Sequence, residues 1–216
     1  MKKFLIKVLI GILCLFIVSR IYFAVMLLRL VEAIEDFKIE TNTYYKVEIK
    51  NGVLPHKEEV FKKDDIVNYI VSKGDSQLNC EWRNLKTGEM YDIDMTLKEI
   101  YKSDILIENQ NFLPNLPSFI VRITDSDKID LGDSFKIIYI IPTEYENQKV
   151  YKIRTKSEII LIDRNTKLPV YATKKITNTE NGQLDSIGYD YKFEVGNVTE
   201  KAIELPDLSE YVIRQK

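Results

Sequence analysis

One histidine, His56, and two cysteines, Cys14 and Cys80, are all that the chain offers for imidazole or thiolate chemistry. A single histidine excludes a two-histidine zinc motif of the HExxH kind. A Cys–His dyad would have to join Cys80 to His56, but Cys80 shares a strand face with Leu78 and Trp82, which predicts a buried thiol and not a nucleophile. No GxSxG, P-loop or GxGxxG occurs, so acyl-enzyme and nucleotide chemistry lack their usual carriers. "DSDKIDLGD" sets Asp125, Asp127, Asp130 and Asp133 close together, as a calcium loop would. Yet Ile129 holds a ligand position and the sharp-turn glycine is missing at Asp130, so a solvated loop is the better reading. Asp92 and Asp94 lie two apart on one strand face and could act as a carboxylate pair; the polar outer face of a sheet accounts for them better. The expectation is a protein that is not an enzyme, with no catalytic residue, metal site or cofactor.

The aromatic residues carry the remaining candidate site. Of 13 tyrosines, Tyr45, Tyr69, Tyr91, Tyr151, Tyr189 and Tyr191 fall on the apolar side of alternating runs, as does Trp82. An amphipathic ring can line an apolar pocket and hydrogen-bond a polar headgroup, and it can equally fill a core and reach water with its hydroxyl. These seven are the candidate ligand-pocket residues.

Strands must position them. Tyr45, Val47 and Ile49 alternate with Lys46, Glu48 and Lys50. Val67, Tyr69 and Val71 share one face of the next run, then Leu78, Cys80 and Trp82, then Tyr91, Ile93 and Met95. Near the end Tyr189, Tyr191, Phe193 and Val195 alternate with charged residues. Period two at this regularity means strands with one dry face. "FKIIYII" (135–141) is apolar on both sides and predicts a central strand covered on both faces. Residues 164–168 read as a hairpin loop with Pro169 opening the returning strand, where its missing N–H costs no ladder bond. Asn181-Gly182 and Thr87-Gly88 mark further turns. Met26, Leu30, Ile34 and Phe37 recur at helical spacing. Thr96 and Glu99 form a capping-box pattern that predicts a short helix over 97–103. Residues 104–133 predict a long excursion with a strand near 119–123.

The N-terminus is of another kind. Lys2, Lys3 and Lys7 precede an apolar run that only Arg20 interrupts. Residues 8–28 would span about 30 Å as a helix, one hydrocarbon thickness, but would set Arg20 near the bilayer centre. A register over 4–23 lets Lys7 and Arg20 snorkel to opposite interfaces. The lysine-first flank puts residues 1–7 in the cytoplasm and the rest outside, as a single-pass protein of the cell membrane. A cleaved signal peptide is the competing reading, with Val31 and Ala33 as a passable cleavage pair lying far beyond a normal apolar core. A lipoprotein signal would use Cys14, but Leu13 stands where a small residue is required. The expected organisation is a transmembrane segment over 1–23 and an extracytoplasmic domain over 24–216. The net charge of −2 argues against nucleic acid as a partner.

Several stretches resemble the lipoprotein-carrier superfamily, the LolA-like proteins and their RseB-like and LprG-like bacterial relatives: "YYKVEIKN", "YENQKVYKIRT", "IDRNTKLPVYATKK" and "YKFEVGNVTEKAIELPDLSEY". The resemblance runs over roughly residues 24–211 and is most specific in the last third. It implies an α+β, mainly β fold: a strongly curved antiparallel sheet, a half-barrel, with helices on its concave side and a cavity between them for acyl chains or lipidated protein ends. A tether departs from the soluble carriers and favours local work over transport. Two functions follow as expectations. One is a membrane-anchored binding protein for a lipid, a lipoprotein or another apolar ligand. The other is a structural or sensory ectodomain contacting other envelope proteins, with no lipid ligand.

Overall fold

A computed structural model describes residues 2–50, 55–104, 113–124, 131–177 and 184–215. Helix α1 (Lys2–Ile39) is continuous from the apolar run into the domain, so no break separates the two expected helices. Its described side chains are exposed through Val18. Beyond that point Met26, Leu30, Ile34 and Phe37 are buried, as the helical spacing predicted, and Phe23 and Leu27 are buried with them. Each such side chain removed from water contributes about 1.5–3 kcal/mol.

The strands, in chain order, are β1 (Asn42–Lys50), β2 (His56–Lys63), β3 (Ile66–Lys73), β4 (Ser76–Asn84), β5 (Glu89–Asp94) and β6 (Glu99–Asp104), then β7 (Tyr139–Tyr145), β8 (Gln148–Arg154), β9 (Glu158–Asp163), β10 (Pro169–Thr177), β11 (Leu184–Val195) and β12 (Val212–Gln215). Among the described residues they form one open sheet in the order β12-β6-β5-β4-β3-β2-β1-β11-β10-β9-β8-β7. All pairs are antiparallel except β12 on β6, which is parallel. Two runs of hairpins meet at the β1–β11 seam, where Tyr45 faces Phe193 and Val47 faces Tyr191. Helices α2 (Ser118–Thr124) and α3 (Leu131–Ser134) lie against α1, and α4 (Glu200–Ile203) lies beside β2 and β3. Lys62 of β2 reaches up to donate to the Lys38 carbonyl at 2.7 Å, satisfying one of the free carbonyls at the C-terminus of α1.

Three expectations fail for identifiable reasons. Residues 97–103 are not a helix. Asp94 Oδ1 accepts the N–H groups of Thr96 and Leu97, each at 2.8 Å, and this local turn displaces the capping box and lets β6 return with Ile100 opposite Ile93. Residues 119–123 are helix and not strand. The buried carboxylate of Glu158 accepts the N–H groups of Ser118 and Phe119 at 2.9 and 3.0 Å, capping α2 from 39 and 40 residues away. "FKIIYII" is not a central strand: β7 starts at Tyr139, occupies a sheet edge, and leaves Phe135, Ile138 and Ile141 exposed. The Asn181-Gly182 turn and the aspartates 125–130 lie outside the described residues.

The loop before Pro169 forms as expected. Asp163 Oδ1 accepts the N–H groups of Asn165 and Thr166 at 2.7 Å, while Oδ2 accepts from the Gln148 amide at 2.8 Å. The ladder closes through the Asp163 N–H on the Leu168 carbonyl, so proline has no bond to give, and a bulge follows it. Burial alone would raise the Asp163 pKa, but the donors of Thr166, Asn165 and Gln148 outweigh it and hold the carboxyl below its ordinary range. A lowered folded pKa gives stability that is full above an ordinary aspartate value of about 4 and lost as pH falls through the folded value. Asp163→Ala is expected to lower the unfolding free energy by about 1–3 kcal/mol at pH 7. The deficit, read by denaturant titration, should shrink on acidification; a constant deficit at every pH would contradict this role for the carboxylate.

Candidate functional site

The tyrosines expected to line one pocket do not share one side of the sheet. Strand register puts Tyr45, Tyr69, Tyr151, Tyr189 and Tyr191 on the face covered by α1. Trp82 and Tyr91 are cross-strand partners on the opposite face, beside the cluster of Cys80, Ile93 and Ile100. There the Trp82 indole donates to the Ile203 carbonyl at 2.8 Å and the Asn68 amide to the Ala202 carbonyl at 2.9 Å, fastening α4 down. The two residues therefore belong to the seat of the C-terminal segment and cannot line a cavity under α1. Alternation gave their period correctly and could not say which of two dry faces they join.

On the α1 side the tyrosines hold a strap of chain, residues 113–118. Tyr45 Oη donates to the Pro114 carbonyl at 2.6 Å and Tyr191 Oη to the Asn115 carbonyl at 2.8 Å. The Asn115 amide donates to Glu58 Oε1 at 2.7 Å, and Glu158 takes the N–H groups of Ser118 and Phe119. Burial keeps both phenols protonated, with pKa values well above the ordinary phenol, so they remain donors. Leu113 and Leu116 of the strap are buried in the main core. What remains beneath it is a cavity of about 130 Å³, bounded by Asn115, Pro117, Glu158, Lys174, Tyr189 and Tyr191. That is below the few hundred Å³ of a typical ligand pocket. Asn115, Glu58 and Glu158 were not singled out from the sequence, because each works through a partner far away along the chain.

The dyad fails on geometry. His56 pairs with Glu58 at 2.8 Å on the α1 side, whereas Cys80 faces the other way and meets Asn68 Oδ1 at 3.0 Å. Burial, then the nearby Glu81 and Asp92, push the Cys80 thiol up to about 12. Asp92 and Asp94 do share a face, but it is the face of Tyr69 and Arg83 and not the outer one; Asp94 is committed to its turn. Asp133 meets Lys136 at 2.7 Å and Arg122 at 3.6 Å. Among the described residues no group of three histidine, cysteine or acidic side chains could hold a metal ion.

A larger opening lies elsewhere. Between α2, α3 and the start of β9 runs an open groove of about 540 Å³, walled by Phe119, Phe135 and Ile138 and rimmed by Arg122, Lys136 and Lys156. Its corner touches α1. The Arg20 guanidinium donates to the carbonyls of Ser134 and Ile137 at 2.7 and 2.9 Å, and its carbon lies 4.8, 5.2 and 5.3 Å from the rings of Phe16, Phe23 and Phe135. Arg20 thus turns away from the exposed side of the helix, into protein.

Tyr45→Phe and Tyr191→Phe should each cost about 1 kcal/mol of stability and together speed hydrogen exchange at residues 113–118. Unchanged exchange in the double variant would show that the strap is held by packing alone. Cys80 in a Cys14→Ser protein should resist iodoacetamide at pH 8 until denaturant unfolds the chain; rapid labelling of the folded protein would contradict the buried, raised thiol.

No protein-family model matches the chain, and no curated protein matches it in sequence. Solved structures do match. An uncharacterised conserved protein from Thermus thermophilus aligns at 11% identity and a TM-score of 0.49, over 87% of this chain and 97% of that one. MucB, in a complex of MucA and MucB from Pseudomonas aeruginosa, aligns at 15% identity and a TM-score of 0.44; the match covers 88% of this chain and only 63% of the other. A DUF1329 family protein from Desulfovibrio piger aligns at 10% identity and a TM-score of 0.32, over 88% and 99%. At these identities and scores the likeness assigns neither a family nor an activity.

Proposed function

We propose that the chain is a membrane-anchored, extracytoplasmic binding protein for an apolar or lipidated ligand, acting locally in the cell envelope and catalysing no reaction. In this reading the open sheet curls as a half-barrel about the domain half of α1, and the first half of that helix crosses the membrane with its lysines in the cytoplasm. The ligand site moves from the tyrosine face to the groove between α2, α3 and β9. The observation that carries it is the groove's volume and lining: about 540 Å³ with apolar walls at Phe119, Phe135 and Ile138, against about 130 Å³ left beneath the strap. Burial of an acyl chain there would gain about 0.8 kcal/mol per methylene.

The turned-in guanidinium of Arg20 supports the anchor. In the 4–23 register Arg20 stands at the outer interface, where its guanidinium is hydrogen-bonded to two carbonyls and set among three rings instead of facing lipid.

A second reading is favoured by the closed tyrosine face: a structural or sensory ectodomain that contacts envelope proteins and binds no lipid. Membranes carrying the full chain, treated with a photoactivatable fatty acid, separate the two. Saturable labelling of Phe119 and Ser157, suppressed by excess unlabelled fatty acid, is the expected result. Labelling confined to Tyr189 and Tyr191 would return the site to the strap cavity, and no saturable labelling at all would leave the contact ectodomain.

A further inference from the structure

The stripe of α1 that faces the domain does not stop where the domain was expected to begin. Phe23, Leu27, Leu30, Ile34 and Phe37 continue downward, at the same alternating steps of three and four, through Arg20 to Phe16. Burial on this face ends at Phe23, and the domain's last contact along it is at the still exposed Phe16, whose ring lies 6.0 Å from that of Phe135. The other face is apolar and exposed over the same turns, at Val18, Ile21, Tyr22, Val25 and Leu28, and becomes charged only at Arg29. In the 4–23 register Arg20 lies at the outer interface, so the corner of chain from Ser134 to Ile138 that it bonds is level with the last apolar turns of the helix and not above them.

That corner has the composition of a surface meeting lipid. Phe135 is 60% exposed and Ile138 is 58% exposed. Ile141, on the adjoining edge strand β7, is exposed too and is followed by exposed Pro142. In water, exposed apolar side chains beside a strand edge that has no partner among the described residues invite aggregation. Lys136 and Arg122 share the single carboxylate of Asp133, and Lys156 is exposed nearby; long cationic side chains of this sort snorkel to the phosphate level while their stems stay in apolar surroundings.

We propose that the α3–β7 corner, residues 135–141, is a membrane-docking surface whose occupant is the outer leaflet of the same bilayer that α1 crosses. The proposal rests on the anchor reading. Arg20 is its positioning residue, clasping the corner to the helix so that Phe135, Ile138 and Ile141 enter the interfacial layer and the mouth of the groove opens onto lipid. The domain does not swing freely on a tether; its β7 edge lies against the membrane and its β12 edge points away.

The test uses the full chain reconstituted in vesicles of phosphatidylcholine and phosphatidylglycerol whose acyl chains are brominated either close to the headgroup or close to the methyl end. The single native tryptophan, Trp82, is the internal reference and should keep its emission. Phe135→Trp and Ile138→Trp, each combined with Trp82→Phe, should lose emission to bromine near the headgroup and less to bromine near the methyl end. Leu13→Trp in the same background should be quenched by both. If Leu13→Trp is quenched while Phe135→Trp and Ile138→Trp are not, the docking surface is overturned and the anchor stands. If none is quenched, the anchor falls and takes the docking surface with it. Equal quenching of Trp82 in the native protein would mean adsorption without orientation and would also overturn the proposal. Arg20→Gln should release the corner, relieving quenching at residue 138 while leaving that at residue 13 intact; unchanged quenching would remove Arg20 from its assigned role.

Discussion

Among the described residues the twelve strands form one open sheet, whose larger apolar face has no second sheet to bury it against. The domain half of α1 supplies the cover, with Leu27, Leu30 and Ile34 wholly out of water over Tyr45, Val47 and the strands beyond the seam. Everything else on that face is arranged around this contact. The strap 113–118 fills what the helix leaves open, Lys62 closes the helix end, and the two tyrosine hydroxyls hold the strap by its carbonyls.

Much of this was readable in the residues. The alternations over β1, β3, β4, β5 and β11 located those strands, and the helical stripe over 26–37 located the cover. What failed did so where a partner distant along the chain decided the outcome. Glu158 makes a helix of residues 118–124 whose own pattern reads equally as a strand. Thr96 and Glu99 satisfy a capping pattern, yet Asp94 takes the Thr96 N–H that the box would use, with that of Leu97, and a turn wins. The run 135–141 is apolar enough for a central strand, and its place at an edge follows from strand order, which no local pattern encodes. Period two likewise cannot separate the two dry faces, so Trp82 and Tyr91 were grouped with residues on the far side of the sheet.

The buried polar groups serve architecture. Glu58, Glu158 and Asp163 are nearly free of solvent, and their described bonds go to a loop amide, to backbone N–H groups at a helix start or a turn, and to neighbouring side chains. None of the three shares a described cluster with a thiol or a second carboxylate that would suit acid–base work.

The seam between β1 and β11 also sets an order in time. Thr43 pairs with Val195, so the middle of the sheet joins segments about 150 residues apart, while β1 to β6 and β7 to β11 are built from successive hairpins with short closures. Hairpins of this kind form as soon as their two strands are available, whereas a distant pair waits on the loss of chain entropy that joins it. A chain emerging from its N-terminus would hold two partly ordered ladders, each with a bare inner edge, until β11 arrives. The α1 stripe is present from the beginning and is the one apolar surface near enough to shelter the first of those ladders, so the same helix that covers the finished sheet is placed to chaperone its assembly.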